Sequence, residues 1–275
     1  MTVLVDSHAH LDDERFAPDL GAVLGRAWDA GVQRIVTVGA GLASSEAAIA
    51  LARGNPGFVW ASVGIHPHDA AGADEPALAR LIELARSSGV VAIGETGLDY
   101  HYDRSPPAAQ RAIFESQIRM ALRLNLPVVV HCREAYEDCL TVLKGHAGSG
   151  LRGVLHCFAR DWPTAEALVR IGFFISFAGP LTFPNAGNLR EVARLVPMEQ
   201  LLIETDCPYL APQPVRGRRN EPVFVHHVAE ALAALRGTTA DEVAARTAAN
   251  AARLFGLAGR ACEISAGEAC NLPDS

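Results

Sequence analysis

Lysine is almost missing from this chain. Of its 275 residues only Lys144 carries an ε-ammonium, and it falls in a helix-like stretch after the fifth strand-like run. That removes Schiff-base chemistry, which needs a lysine pointing into the reaction site. It equally removes a carbamylated lysine as the bridge between two cations. Cysteine occurs six times but never as C-x-x-C, so neither a zinc ribbon nor a redox dithiol is indicated. No apolar run approaches the ~20 residues that span a bilayer. A basic excess is absent too: the formal net charge is -7, which gives no overall field for gripping nucleic acid or an anionic membrane. Strand-like Val3-Leu4-Val5 begins almost at Met1, leaving no room for a secretory leader. These absences predict a cytoplasmic protein with no membrane partner and no organic cofactor.

What is present is a regular alternation. Strand-like runs occur at Val3–Ser7, Arg34–Val38, Phe58–Val63, Val90–Gly94, Val128–Val130, Gly153–Leu155, Phe173–Ser176 and Leu201–Thr205. Helical patterns separate them, with ends marked by Ser44-Ser45, Pro106-Pro107, Gly89, Gly172 and Gly237. Most of these strands are continuously apolar, as in a parallel sheet covered on both sides. Eight such units predict a (β/α)8 TIM barrel. An open doubly wound sheet is the alternative, weakened because no glycine-rich phosphate loop follows the first strand. Asp241–Leu254 reads as an extra C-terminal helix. Residues 1–258 are expected to form one domain and 259–275 a flexible tail.

Six residues with metal-ligand chemistry stand where these strands run out: His8 and His10, Glu95, His131, His156 and Asp206. Spacing of two along a strand puts His8 and His10 on one face. Barrel strands converge their carboxyl ends on a single mouth, so ligands distant in sequence become neighbours there. Glu95, with two oxygens, is able to bridge where lysine is absent. Cys132, Cys157 and Cys207 each follow one of the six and should face outward, as small buried hydrophobes.

These residues lie in Asp6-Ser7-His8-Ala9-His10-Leu11-Asp12, Gly64-Ile65-His66-Pro67-His68, Gly94-Glu95-Thr96-Gly97-Leu98-Asp99-Tyr100, Val130-His131-Cys132-Arg133, Leu155-His156-Cys157-Phe158 and Glu204-Thr205-Asp206-Cys207-Pro208-Tyr209. The ordered set resembles the TatD-type metal-dependent deoxyribonucleases, which are amidohydrolase-like barrels, over roughly residues 3–256. The resemblance implies His8, His10, Glu95 and Asp206 around one cation and Glu95, His131 and His156 around another, with Glu95 shared. It implies two divalent ions, Mg2+, Mn2+ or Zn2+, hydrolysing DNA phosphodiesters. Imidazole-rich shells suit the softer ions, whereas the family is associated with magnesium. Asp206 is the expected proton acceptor for the attacking water.

Four further residues are expected to contact substrate: His66, Arg133, Arg216 and Arg218. The charge balance favours contact with a few phosphates, as in nibbling at an exposed strand end rather than cutting inside a duplex. With the resemblance, the expected activity is 3'-5' exonuclease action on single-stranded ends. Tyr100, Tyr102 or Phe158 would stack a terminal base, or pack in core or rim. His68 and His101 read as rim residues; His146, His226 and His227 receive no role. Two rival functions remain open. One is hydrolysis of a carboxylic ester or amide, such as an aminoacyl-tRNA or a lactone, by the same centre. The other is a non-enzymatic metal-binding scaffold.

Overall fold

The computed structural model describes residues 3–257 apart from residue 103. The elements run β1 (Leu4–Ala9), α1 (Leu20–Asp29), β2 (Val32–Val38), α2 (Leu42–Gly54), β3 (Val59–Val63), α3 (Glu75–Ala85), β4 (Val90–Asp99), α4 (Pro107–Leu124) and β5 (Val128–Arg133). They continue as α5 (Tyr136–Gly145), β6 (Gly153–Leu155), α6 (Trp162–Arg170), β7 (Phe174–Phe177), α7 (Gly187–Leu195), β8 (Leu201–Ile203), α8 (Val225–Arg236) and α9 (Ala240–Phe255). The strands pair in chain order, each parallel to the next. That order excludes a doubly wound sheet, in which strand order reverses part-way. Closure occurs just beyond β8, where Asp206 N–H donates to His8 O at 2.9 Å and His10 N–H to Cys207 O at 2.8 Å. The expected (β/α)8 barrel is therefore the fold, with α9 as its extra C-terminal helix. The expected tail, 259–275, lies outside the described residues.

Two buried apolar clusters follow from the two faces of the strands. In the larger, Ile35, Val63, Val130, Leu155 and Ile203 meet Leu24, Leu81, Phe114, Leu143 and Leu232 of the surrounding helices. The smaller holds Val5, Val36, Val129, Val154, Phe174 and Leu202 together with Ala248, Ala251, Leu254 and Phe255 of α9. It lines the inside of the ring near the strand starts, and α9 plugs that end. Asn250 ties the plug down by donating to Met198 O at 2.7 Å and Leu201 O at 2.8 Å. Burying Leu254 and Phe255 contributes about 1.5–3 kcal/mol each. Side chains alternate along a strand, so Val129, Val154 and Leu202 at the floor put His131, His156 and Glu204 on the same inner side, higher up. With the lower end plugged, chemistry is confined to the upper mouth.

β4 departs from expectation. Its apolar run stops at Gly94, yet the strand continues to Asp99, pairing Thr96, Gly97, Leu98 and Asp99 with Val130, His131, Cys132 and Arg133. Gly97 has φ +139°, and a Cβ there would stand 2.0 Å from the His131 carbonyl oxygen. Only glycine allows that conformation at so close an approach. Glu95, His131 and His8 consequently sit inside strands rather than after them, whereas His156 and Asp206 follow theirs. Cys132 packs partly buried in the outer layer and Cys207 is fully buried there. Among the described residues no helix is long and apolar enough to cross a membrane.

Candidate metal centre

Glu95 is buried in the mouth, and its two oxygens face different neighbours. Oε2 lies 3.6 Å from Nε2 of His8 and 3.6 Å from Nε2 of His10. Oε1 lies 2.9 Å from His131 Nδ1, 2.8 Å from His156 Nε2 and 3.6 Å from His66 Nε2. Asp206 Oδ1 sits on the first side, 3.6 Å from His8 Nε2 and 3.4 Å from His10 Nε2. The structure thus brings together all six residues singled out at the strand ends, with His66 beside them. Asp206 holds φ +55° and Cys157, next to His156, φ +44°, left-handed conformations that non-glycine residues adopt only where surrounding contacts hold them.

Around these side chains lie three further carboxylates that the strand-end pattern did not single out. Asp99 Oδ2 is 3.0 Å from His131 Nε2 and 3.1 Å from His68 Nε2, while its Oδ1 accepts the N–H groups of His101 and Tyr102. Glu204 Oε1 accepts Cys157 N–H at 2.6 Å and lies 3.4 Å from His156 Nδ1. Asp6, fully buried, accepts Thr205 N–H at 2.8 Å and Thr205 Oγ–H at 2.5 Å, latching β1 to the segment after β8. A usable signal existed for all three in their spacing. Asp99 lies four residues beyond Glu95, Glu204 two before Asp206 and Asp6 two before His8, separations that share a strand face in regular alternation.

Burial opposes charge throughout the mouth, yet neighbours reverse it at several groups. Glu95 would be raised by burial, but the charges of His156 and His66 and hydrogen bonds from His131 and His156 hold it well below the usual carboxylate range. For Asp206 burial is likewise outweighed, by His10 and His8, and its pKa falls. His10 is lowered by burial but raised overall to about 9 by its bond to Asp206 and by Glu95. His8 goes the other way: burial, then the charge of His156, lowers it. Burial pushes Asp6 up to about 8.

Two buried imidazole nitrogens, His8 Nδ1 and His156 Nδ1, have no hydrogen-bond partner, although such groups are normally satisfied. In addition, His8 Nε2 stands 3.3 Å from His10 Nε2, and His131 Nδ1 stands 3.3 Å from His156 Nε2. Crowded nitrogen and carboxylate lone pairs facing one another are the donor set of a divalent cation, softer than an all-oxygen site. The residues present fit such an ion. A separate trio, His226, His227 and Glu230, lies on α8, where His226 Nδ1 is engaged with Val223 O at 2.7 Å.

The basic side chains divide. Arg133 is exposed, with its guanidinium 4.8 Å from the Tyr102 ring and bonded to the Tyr102 hydroxyl at 3.2 Å. Arg216 is exposed over Phe183 at 3.9 Å. Arg218 departs from expectation. Its neighbour Arg219 is anchored on Asp19 at 2.7 and 2.8 Å and on Glu221 at 2.8 Å. That fastens the segment to α1, and Arg218 lines a groove of about 710 Å³ with Arg26, Asp29 and Phe224. Of the three candidate stacking rings, Phe158 is core and the Tyr100 hydroxyl is committed to Asp138 and Arg111. Tyr102 is half exposed.

A closed ring of eight parallel strands, with inward imidazoles and carboxylates at its carboxyl mouth, is the frame of a metal-dependent hydrolase barrel. Residues 5–256 match the family model described as TatD related DNase, and the chain belongs to that family. It is 44% identical to the Bacillus subtilis metal-dependent hydrolase YabD, over 92% of this chain and 99% of that one. It is 40% identical to the 3'-5' ssDNA/RNA exonuclease TatD of Erwinia tasmaniensis, over 92% of this chain and 100% of its relative. Among solved structures, the TatD homologue YJJV of Escherichia coli K12 superposes with a TM-score of 0.86 at 32% identity, covering 92% of this chain and 98% of that one.

Proposed function

We propose that this metal-dependent hydrolase cleaves phosphodiester bonds in single-stranded DNA, working inward from 3' ends. One observation carries the reading: Glu95 turns Oε2 toward His8 and His10 and Oε1 toward His131 and His156. That division suits two cations sharing one carboxylate, with His8, His10 and Asp206 completing one set and His131 and His156 the other. Divalent ions held there supply charge stabilisation to phosphate oxygens and make water a better nucleophile near neutral pH. Asp206, kept ionised by its neighbours, takes the water's proton. His66, beside Glu95 Oε1, donates to a non-bridging phosphate oxygen. Arg133 and Arg216, on the rim, pair with flanking phosphates; Arg218, turned to the flank groove, is not assigned. The relatives named as exonucleases support the choice of bond.

The test is a titration of metal-depleted protein with Mg2+, Mn2+ and Zn2+ against 5'-labelled single-stranded and duplex oligonucleotides, with an aminoacyl ester alongside. The expected result is no turnover without cation. Addition of one or more of these ions should give stepwise shortening, faster on single strands. Ester turnover that spares DNA under every cation would overturn it.

Asp99 orients His131 from behind through its Oδ2. Removal of such an orienting partner typically costs 10–100-fold in metal affinity, so Asp99→Asn is expected to weaken binding by roughly that much. Calorimetric titration should show the loss in one of two binding steps. Unchanged affinity in both would deny Asp99 that role.

A further inference from the structure

Two of the exposed large apolar side chains, Trp28 and Leu195, lie near the C-terminal ends of α1 and α7. The other exposed ones among the described residues are Tyr102, Tyr209 and Leu210, all on loops at the barrel mouth. Tyr209 is exposed yet rigid. Its ring lies 6.0 Å from the His10 ring, edge to face. The Arg15 guanidinium covers it at 4.3 Å, and Asp13 holds that guanidinium through bonds of 2.8 and 2.7 Å. The Tyr209 hydroxyl donates to the same Asp13 at 3.2 Å.

The backbone is pinned as well. Asn220, fully buried, donates to Tyr209 O at 2.6 Å and Thr205 O at 2.8 Å, and Tyr209 N–H donates to Asp206 O at 3.0 Å. Ordering an aromatic through so many contacts costs conformational entropy, yet about half of the residue is left exposed. A fixed, half-exposed aromatic ring beside a reaction centre offers what a flat ligand ring needs. Tyr102 is a poorer platform, since both Arg133 and Arg104 lie over its ring, at 4.8 and 5.7 Å.

We infer that Tyr209, backed by Arg15, is a stacking platform for the nucleobase adjoining the scissile phosphate on the His10–Asp206 side of the centre. Stacking reads a π-face rather than a hydrogen-bonding edge, so the subsite accepts any base and rejects a sugar that lacks one. It holds the strand by contact instead of by field, which an acidic protein needs. The inference rests on the phosphodiesterase reading above.

The test compares wild type, Tyr209→Ala and Tyr209→Trp on single-stranded oligonucleotides carrying one abasic nucleotide at successive positions from the 3' end. Wild type is expected to show, at one position, an abasic penalty of about tenfold in kcat/KM, within the range for one stacked base. Tyr209→Ala should lose kcat/KM on the intact strand through KM, and should no longer distinguish base from abasic site there. Tyr209→Trp should retain the discrimination, because the ring and not the hydroxyl carries it. Thermal melting of the variants separates a folding defect from a binding one. If wild type and Tyr209→Ala share the same abasic profile while both degrade DNA, the platform is refuted and the nuclease reading stands. If wild type degrades no strand with any cation, the nuclease reading falls and the platform with it.

Discussion

Glu95→Gln is expected to lower turnover by a hundred- to a thousandfold, the scale of losing one preorganised charge-stabilising group, and to leave the melting temperature within a few degrees of wild type. The two halves of that expectation have separate grounds. Glutamine keeps the shape but replaces one carboxylate oxygen with an amide NH2, which donates and does not bind cations. Since Oε1 and Oε2 face separate imidazole sets, either orientation of the amide disables one set. The charge lost is buried, and the imidazoles that face it can shed their protons, so no uncompensated buried charge is left behind. The backbone is untouched, because Glu95 N–H donates to Gly39 O at 2.9 Å regardless of side chain. Cation titration of the variant should show one binding event where wild type shows two. Near-normal turnover with Gln at this position would defeat the shared-carboxylate assignment.

The sequence revealed the six strand-end ligands more completely than the carboxylates around them, for a physical reason. His8, His10, His131, His156 and Asp206 each interrupt or end an apolar run, and such interruptions stand out against a continuously buried strand. Asp99 did not stand out, because Gly94 and Gly97 hide the true length of β4. Their backbone conformations let the strand run past the point where its apolar pattern stops. Glu204 was concealed by proximity, two residues before a more conspicuous aspartate. Tyr209 lies in a Pro-rich loop without periodicity, so only coordinates reveal that it is both exposed and fixed. The run 216–219 shows the opposite situation. Arg216 and Arg218 read alike in sequence, but Asp19 and Glu221 capture the segment at Arg219 and the chain direction sends Arg216 and Arg218 to different surfaces.

Glu204 leads to the second large effect. The rings of His8 and His156 stack at 3.9 Å, nearly parallel at 10°, although they belong to different proposed cation sets. Both present Nε2 toward Glu95, so in a cation-bearing centre both must keep the proton on Nδ1. The Glu204 carboxylate lies behind both: its Oε1 is 3.4 Å from His156 Nδ1, and one ring nitrogen of His8 lies within 4.8 Å of a Glu204 oxygen. That carboxylate is 1% exposed and also accepts Cys157 N–H. Glu204→Ala should therefore act on both cation sets at once. Affinity is expected to fall 10–100-fold at each, the usual cost of losing a partner behind a histidine ligand. Stability should drop by about 1–3 kcal/mol as Cys157 N–H loses its acceptor. Glu204→Gln retains a carbonyl oxygen for that N–H, so it should recover most of the stability while leaving cation affinity reduced. Calorimetric titration of metal-depleted protein measures the first effect and denaturant melts the second. An alanine variant that binds cations as tightly as wild type would show that the two imidazoles set their tautomers without Glu204.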